Sequence, residues 1–336
     1  MAKIKNFIGI DVSKHSLDIY LHKVEGQINK QHFVVENSNK GFKELTSALK
    51  KSSIKNDQSV FCLEHTGVYS IPLCLFFEKE GLKYTLESGL QIKKSMGITR
   101  GKSDKIDAKM IAHYAYMNRD KLCTHKLPEK KLLTLKQMSS YRERLVKARK
   151  SFQVAQKEAE DFIEKQIVKE VLVDSKKVIK DLSKRIDDID RKTASLIQQD
   201  EQLQNIYQLL LSIPGVGPQI AVNMIIVTRS FTCFKTARQL ACYAGIAPFE
   251  YRSGTSIKGR NKVSHFANKK MKSLLSMGAL NAIRHDPEIK RYYKRKLDEG
   301  KNAMSVINAI RNKLVGRMFA TVARGTPFVP LAKYAA

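Results

Sequence analysis

Four acidic residues occupy positions where carboxylates could hold metal ions. Asp11 lies inside the apolar run from Phe7 to Val12, and Glu64 closes a second apolar run that begins at Val60. A carboxylate buried in an apolar strand is costly unless it is paired or bound to a metal ion. Each position alone also suits an ordinary strand end or turn, so both interpretations stay open for either acid.

Asp104 and Asp107 are three residues apart and follow Ser103, which suits the N-cap of a helix that continues to about Met117. Acids in a first helical turn also suit the helix dipole, so a purely structural role is the alternative. Basic residues surround the pair, and we predict nucleic-acid contacts at Lys93, Lys94, Arg100 and Lys102. A phosphodiester-cleaving metal site needs this combination, because basic residues bind the backbone while carboxylates bind cations.

The four acids are expected to converge from two strands and one helix. Two carboxylates at about 4 Å repel by about 4 kcal/mol at an effective dielectric near 20, so a cluster of four requires cations. Oxygen ligands without an accompanying Cys/His set favour Mg²⁺, with Mn²⁺ possible. Two such ions can activate a nucleophile and stabilise the leaving oxygen of a phosphodiester.

A glycine-rich turn in the C-terminal half also points to nucleic acid. Pro214 to Gly217 separates two apolar helical segments, as in a helix-hairpin-helix motif. In such a motif Gly215 and Gly217 would bring backbone N–H groups near a phosphate without reading the bases. An ordinary helix–helix turn is the alternative.

A basic segment follows, in which Tyr251 to Lys272 contains seven Lys/Arg and no acid. We predict phosphate contacts there, at Arg252, Lys258, Arg260, Lys262, Lys269 and Lys270. Ser253 precedes Gly254 on what reads as a flexible connector, and it could be a nucleophile. Spacing alone favours a turn residue at this position.

Residues 1–125 should form the domain that positions the acids. Apolar runs predict strands near residues 7–12, 17–21, 32–35, 60–64 and 84–86, with helices at about 37–50 and 71–79. Three strands in succession, followed by strands that alternate with helices, indicate a mixed-sheet α/β domain.

The chain beyond this domain reads as helical. In residues 126–205, apolar heptads predict two long coiled-coil helices, separated near Val171 to Ser175 and paired as a hairpin or across subunits. A long helix packed on its own domain is the alternative. Residues 206–325 read as a mostly helical, basic domain, and residues 326–336 as a tail.

The composition indicates a polyanionic partner. The 336 residues include 61 Lys+Arg against 32 Asp+Glu, a formal net charge of +29, while 43% are hydrophobic and 28% charged, as in globular proteins. Such an excess most often means nucleic acid; an anionic membrane surface and solubility are the alternatives.

Several classes of protein are excluded. No apolar run reaches about 18 residues, the length of a membrane-crossing helix, and the N-terminus does not resemble a signal peptide. The five cysteines are scattered and never in C-x-x-C spacing, which argues against a disulfide scaffold and a zinc site. We therefore expect a cytoplasmic protein with no membrane partner.

These motifs, in this order, resemble the DEDD-type transposases of bacterial insertion sequences, also described as bridge-RNA-guided serine recombinases. The resemblance covers nearly the whole chain. It rests on the motifs Gly9-Ile-Asp11-Val-Ser-Lys, Glu64-His-Thr-Gly-Val-Tyr69, Arg100-Gly-Lys-Ser-Asp-Lys-Ile-Asp107-Ala, Pro214-Gly-Val-Gly, Ala244-Gly-Ile-Ala-Pro248, Ser253-Gly-Thr-Ser and Asn268-Lys-Lys-Met-Lys.

The resemblance implies an RNase-H-like N-terminal domain of the Holliday-junction-resolvase type, whose tetrad is Asp11, Glu64, Asp104 and Asp107. It also implies a C-terminal serine that attacks DNA and becomes covalently linked to it, and Ser253 matches that position. Many relatives have a second serine where this chain has Arg252, so Ser256 is the reserve candidate. Relatives also use a structured guide RNA, encoded by the flanks of the element, that pairs with target and donor DNA.

The leading hypothesis is an RNA-guided transposase that joins element ends to a target. Its expected partners are double-stranded DNA, the guide RNA and further copies of itself, as a dimer that assembles to a tetramer on DNA, associated with a bacterial nucleoid. The first alternative is a Mg²⁺-dependent, structure-selective nuclease that uses metal-bound water. The second is an architectural or RNA-binding protein. A nucleotide phosphotransferase is disfavoured, because no glycine-rich phosphate turn follows Asp11.

Overall fold

The computed structural model describes residues 4–24, 31–97, 101, 103–254 and 257–330, and at positions 257, 258 and 260 it describes the backbone alone. The chain divides into two compact units, Met1–Leu127 and Pro128–Ala336. The finer boundaries expected near residues 205 and 325 stay predictions.

The first unit is built on a five-stranded mixed sheet. Its strands are β1 (Asn6–Val12), β2 (Ser16–Lys23), β3 (His32–Glu36), β4 (Ser59–Glu64) and β5 (Tyr84–Glu87). The order across the sheet is β3-β2-β1-β4-β5. Neighbours among β1, β2 and β3 are antiparallel, whereas β4 is parallel to β1 and β5 is parallel to β4. The predicted mixed α/β sheet is confirmed.

Four helices belong to this sheet: α1 (Asn39–Lys51), α2 (Ile71–Lys79), α3 (Gly89–Ser95) and α4 (Asp104–Met117). Successive side chains of the central strand β1 point to opposite faces, as the two-residue period of a strand requires. Ile8 and Ile10 pack in one core with Leu45 of α1, while Phe7 packs in another with Ile111 of α4. The nearly continuous apolar run of β1 therefore reflects burial on both faces.

The second unit begins with two long helices, α5 (Lys130–Phe162) and α6 (Lys165–Gln198). They form an antiparallel hairpin, since Arg142 bonds to Asp190 while Arg149 bonds to Ser183. The break predicted near residues 171–175 is wrong, because the helices are separated at residues 163–164. Residues 171–175 lie within α6 and include neither Pro nor Gly to end the helix. The apolar pattern is irregular there because Val171 and Val173 are exposed.

The rest of the second unit is mostly helical, as predicted. Its elements are α7 (Glu201–Leu211), α8 (Pro218–Thr228), α9 (Ala237–Tyr243), β6 (Pro248–Ser253), β7 (Ile257–Val263), α10 (Lys269–His285), α11 (Pro287–Asp298) and α12 (Ala303–Arg324). One hydrophobic core joins these helices to the first and last turns of the α5–α6 hairpin. In the predicted tail, the Phe328 N–H donates to Ser212 Oγ at 2.8 Å.

The segment around Ser253 is an antiparallel hairpin of β6 and β7, not the flexible connector that the sequence suggests. The prediction is wrong because every residue of β6 is exposed, so the segment has no apolar alternation to reveal a strand. Backbone hydrogen bonds between β6 and β7 hold this segment in an extended conformation.

Candidate active site

Three of the four predicted acids come together in the first unit. Asp11 is the penultimate residue of β1, while Asp104 and Asp107 lie in the first turn of α4. One carboxylate oxygen from each lies within 4.8 Å of the others. Asp11 and Asp107 are partly buried and Asp104 is exposed, so the cluster is open to solvent on one side.

Helix α4 approaches β1 closely because the residues between them are small. A Cβ built on Gly9 would lie 2.3 Å from the Ala108 carbonyl oxygen and 2.3 Å from the Ala112 nitrogen. Any larger side chain at position 9 would therefore push the helix away from the strand. The predicted N-cap is present, because Ser103 Oγ accepts the Ile106 N–H at 3.3 Å. These contacts fix the first turn of α4 beside the end of β1.

Glu64 ends β4, the parallel neighbour of β1, and does not belong to the group of three carboxylates. Its side chain lies against Gly89, where a built Cβ would come 1.9 Å from Glu64 Oε1. Glu64 nevertheless acts on Asp11 through its charge, as the pKa of Asp11 shows.

Burial raises the pKa of Asp11 to about 6, and repulsion from Asp107, Glu64, Asp104 and Asp18 adds to the effect. Asp18 was not expected from the sequence. It lies opposite Asp11 in the β1–β2 register and accepts a hydrogen bond from His32 at 2.8 Å. Only the pairing of the two strands reveals this neighbour, since the spacing of Asp11 and Asp18 along the chain carries no signal.

The donor set of the cluster suits a hard divalent cation. All its ligand atoms are carboxylate oxygens, the type that Mg²⁺ and Mn²⁺ prefer. Within the part of the chain that the structure describes, no Lys or Arg forms an ion pair with Asp11, Asp104 or Asp107. Among the described residues, the negative charge of the cluster has no basic partner, and a divalent cation would neutralise it.

The basic residues predicted near the acids are described only in part. Lys93 and Lys94 are exposed near the end of α3. Arg100 and Lys102 lie outside the described residues. The structure thus gives no contact that assigns these side chains to nucleic acid.

The turn between α7 and α8 has two glycines with different surroundings. Gly215 has a φ of +94°, and a Cβ there would come 2.7 Å from both Ala282 Cβ and the Gly278 carbonyl oxygen of α10. The absence of a side chain at Gly215 therefore allows close packing against α10 inside the unit. A Cβ on Gly217 would meet nothing within 4 Å, so only this glycine leaves open space at the start of α8.

Ser253 is the exposed last residue of β6, and Gly254 follows it with a φ of +55°. It lies in the second unit, whereas the acids lie in the first. Ser256 lies outside the described residues, and the side chains of Lys258 and Arg260 are not described either. Arg252 is exposed on the same strand as Ser253.

Lys262 and Lys269 are exposed, whereas Lys270 has partners inside its own unit. The Lys270 ammonium donates to Ser139 Oγ at 2.9 Å and lies 3.2 Å from a Glu143 carboxylate oxygen. The predicted phosphate contact at Lys270 would have to compete with these two partners.

Two family profiles match this chain. Residues 207–294 match the transposase IS116/IS110/IS902 family, and residues 8–158, which include all four acids, match the IS110-type DEDD transposase profile. The chain belongs to the IS110-type family of DEDD transposases. This IS110-type transposase acts on DNA, and its family implies a divalent metal ion, which the oxygen donors of the cluster suit.

Relatives extend the similarity over almost the whole transposase. A pilin gene-inverting protein of Moraxella bovis is 28% identical over 332 residues, which cover 96% of this chain and 98% of the relative. The protein of that name from Moraxella lacunata is 29% identical over the same shares. An uncharacterized 43.6 kDa protein of insertion element IS110 from Streptomyces coelicolor is 32% identical over 118 residues, or 35% of this chain and 29% of the relative.

Both matched profiles name transposases, of the DEDD type for residues 8–158, and neither names a serine recombinase, so the second description of the family given by the resemblance is not supported. A serine step and a guide RNA stay predictions for this transposase. None of its helices, in the part of the chain that the structure describes, combines the length and apolar character needed to cross a bilayer.

Proposed function

We propose that this transposase cuts and rejoins DNA strands at an RNase-H-like centre formed by Asp11, Glu64, Asp104 and Asp107, with Mg²⁺ or Mn²⁺ as its cation. The observation that carries the proposal is the meeting of three carboxylates within 4.8 Å, without an ion pair to a described Lys or Arg. The mixed sheet supports an RNase-H-like unit, because its parallel strands β1 and β4 end beside each other with the acids at those ends.

In this proposal the carboxylates bind the cation, which when bound neutralises charge that develops on the phosphate oxygens. Asp11 is anchored by the buried strand β1, and α4 holds Asp104 and Asp107 in place through its cap and its contact with Gly9. Glu64 adds negative charge from β4 and would complete the tetrad by a rotation of its partly buried side chain.

We propose that Ser253 supplies the nucleophile for strand transfer. Its hydroxyl oxygen would form a phosphoester with the DNA phosphate, and one deoxyribose oxygen would leave as an alcohol after taking up the hydroxyl proton. Attack by a deoxyribose hydroxyl of another strand would then release the serine and restore a phosphodiester. Exposure of Ser253 beside Arg252 on the β6–β7 hairpin supports this role.

The test traps a protein–DNA adduct on labelled DNA that carries the ends of the element. The wild type should give a protease-sensitive adduct, and Ser253→Ala should abolish it, while Ser256→Ala keeps it. Loss of the adduct with Ser256→Ala alone would move the nucleophile to the reserve position. An adduct that survives both substitutions, or never forms, would overturn the serine step.

The same substrates separate the alternatives. A structure-selective nuclease that uses water would still cleave branched DNA after Ser253→Ala, but would lose cleavage after Asp11→Asn. An architectural protein would bind DNA in a salt-dependent manner and would cleave nothing, whichever acid is replaced.

We propose that nucleic acid is bound by a helix-hairpin-helix whose turn is Pro214 to Gly217 and by the exposed basic residues, and that a guide RNA is one of the ligands. The open space at Gly217 supports a phosphate there, whereas Gly215 serves packing. The test is RNA sequencing of protein purified from cells that carry the complete element. Enrichment of one RNA from its flanks supports the proposal, and random cellular RNA contradicts it.

We propose that α5 and α6 form a coiled coil that links copies of the chain. Near the hairpin turn, Phe162 is 85% exposed and Ile167 is 72% exposed. Large apolar side chains exposed close together often mark an interface with another protein. Light scattering with and without DNA tests this. Ile167→Lys should lower the measured mass, and an unchanged mass would remove the hairpin from the interface.

A further inference from the structure

A groove of about 1090 Å³ lies in the second unit, beside β7 and α12. Its described lining contains no Asp or Glu and is strongly basic, with side chains from Arg238, Lys262, His265, Lys272, Arg311 and Lys313. Only Lys262 among these was expected to contact nucleic acid. The groove as a whole therefore carries positive charge that no carboxylate on its walls offsets.

Arg311 is the most deeply buried of these basic side chains, with 7% of its surface exposed. It occupies a core position of α12, four residues after Ile307 and three before Leu314, where helical spacing would predict an apolar side chain. Its Nη1 donates to Asn308 Oδ1 at 3.3 Å, and its Nε is buried without a hydrogen-bond partner. No described carboxylate forms an ion pair with it.

A second arginine on the same helix shows what a neutralised side chain looks like in this unit. Arg317 donates to Asp286 at 2.6 Å and to Glu288 at 2.9 Å. Its side chain is 14% exposed, so it also lies mostly inside the unit. Arg317 is somewhat less buried than Arg311, and it has two acidic partners where Arg311 has no described one.

An unpaired buried charge is unfavourable, and arginine cannot escape the cost by losing its proton in the physiological range. Burial lowers the pKa of Arg311 without changing that conclusion. The planar guanidinium matches a phosphate with two parallel hydrogen bonds. The groove around it is held in shape, because Asn308 and Asn312 both donate to the Ile246 carbonyl oxygen, at 2.8 and 2.9 Å.

We propose that this groove binds the phosphodiester backbone of nucleic acid, with Arg311 at its floor as the partner of one phosphate. The inference rests on the proposed function, in which the transposase holds DNA and RNA, and it adds a specific binding site in the second unit. Because every nucleic acid carries this group, the experiment includes DNA and RNA arms and a free-anion arm.

The test compares three single substitutions: Arg311→Met, Arg317→Met and Arg185→Met. Arg185 is exposed on α6 and pairs with Asp181, so its substitution removes the same charge outside the groove. Affinity is measured for a DNA duplex and for a single-stranded RNA over a series of salt concentrations. Thermal unfolding is measured without ligand and with inorganic phosphate.

Arg311→Met should weaken binding by about tenfold or more relative to Arg185→Met, because the paired charge-assisted hydrogen bonds to one phosphate are lost. The log–log salt slope should fall by about 0.9 on duplex or about 0.7 on the single strand. Without ligand, Arg311→Met should unfold at the same or a higher temperature than the wild type, whereas Arg317→Met should unfold at a lower one. A loss confined to the duplex assigns the site to DNA, and a loss confined to the single strand assigns it to RNA.

Binding of both nucleic acids by Arg311→Met at the level of Arg185→Met would overturn the proposal. A second outcome would also overturn it: inorganic phosphate stabilises the wild type but not Arg311→Met, while both proteins bind DNA and RNA equally well. The groove would then bind a free anion and not nucleic acid. If Arg311→Met does not fold, Arg311→Lys keeps the charge without the planar fork and should still weaken binding; unchanged affinity would then refute the site. None of these readouts requires strand cleavage, so failure of the catalytic proposal would leave them interpretable.

Discussion

The carboxylate cluster of the first unit and the groove of the second contain charges of opposite sign without a described counter-charge, whereas the α5–α6 hairpin pairs several of its charges within itself. In the hairpin, Arg142 donates to Asp190 at 2.7 Å and Arg185 donates to Asp181 at 2.8 Å. The cluster brings three acids together without a described basic partner, and Arg311 is buried without a described acidic one.

This difference shows which charges belong to the fold. Charges paired within the protein are satisfied before any ligand arrives, and they contribute modestly to stability. Charges left unpaired at partly buried positions lower the stability of the free protein, and a ligand of opposite charge relieves that cost. We interpret the cluster as a site for a cation and the groove as a site for phosphates on this basis.

The largest expected effect is loss of strand cleavage in Asp11→Asn. Removing one ligand of the cation site should cost several kcal/mol of transition-state stabilisation, or about 10³-fold in rate. The measurement is the rate of cleavage of element-end DNA, with DNA affinity measured in parallel and expected to be retained.

The matched control for that experiment is Asp57→Asn, which makes the same chemical change in a short 3-10 turn of the first unit. It should leave the rate unchanged. Cleavage by Asp11→Asn at a rate within tenfold of the wild type would show that the cluster is not the cation site.

A smaller effect concerns stability and pH in the absence of divalent cations. The folded-state pKa of Asp11, about 6, is above the ordinary value of 3.8, so the folded protein binds more protons between these values. The free energy of unfolding should therefore fall as pH rises through that window, and the loss is complete above it. After allowance for solvent screening, Asp11→Asn should be about 1–2 kcal/mol more stable than the wild type at neutral pH.

Urea denaturation at neutral and at acidic pH measures this difference, which should vanish below the lower pKa value. Added Mg²⁺ should stabilise the wild type at neutral pH and leave Asp11→Asn nearly unaffected. Equal stability of the two proteins at all pH values would mean that neither burial nor repulsion from the neighbouring acids penalises the Asp11 carboxylate.

The role of Glu64 in cleavage can be tested separately, because Glu64 lies outside the group of three carboxylates and acts on Asp11 only by electrostatic repulsion. Gly89→Ala would place a methyl group 1.9 Å from the present position of Glu64 Oε1 and so displace the carboxylate. Because the end of a flexible side chain can move, stability should change by less than about 1 kcal/mol. If Glu64 completes the tetrad, cleavage should fall by about 10- to 100-fold, as for other supporting groups of metal sites. Cleavage equal to that of the wild type would exclude Glu64.

Much of the first unit could be predicted because its sequence pattern follows burial. The apolar runs at β1 and β4 are buried on both faces, and Ser103 caps α4 through contacts local to the chain. Those local signals place Asp11, Asp104 and Asp107 at element ends. The approach of α4 to Gly9 and the register that sets Asp18 beside Asp11 depend on contacts distant in sequence, which spacing does not encode.

Two features of the second unit were harder to predict, for different reasons. The strand β6 is exposed along its whole length, so nothing in the polarity of residues 248–253 distinguishes it from a loop. Arg311 shows the opposite problem. Its position in α12 is predictable as a core position, but whether a buried arginine has an acidic partner depends on side chains from other helices, as the pair of Arg317 with Asp286 shows.

The smallest expected effects are in the hairpin, and they test whether its paired charges are separate from ligand binding. Arg142 is 26% exposed and its partner Asp190 also accepts from Gln219 of α8 at 3.0 Å, so Arg142→Ala should cost about 1 kcal/mol of unfolding free energy. Arg185 lies in an exposed pair four residues apart, and Arg185→Ala should cost only about 0.3–0.5 kcal/mol. Denaturation curves measure both values.

Neither hairpin substitution should reduce the salt slope of DNA binding as Arg311→Met does, because a side chain already neutralised by a carboxylate displaces no counterion from DNA. A slope that falls by about 0.9 in Arg142→Ala would mean that DNA takes this arginine away from Asp190 on binding. An ion pair within the protein would then not exclude an arginine from binding DNA. The distinction between the paired charges of the hairpin and the unpaired charge of the groove would no longer hold.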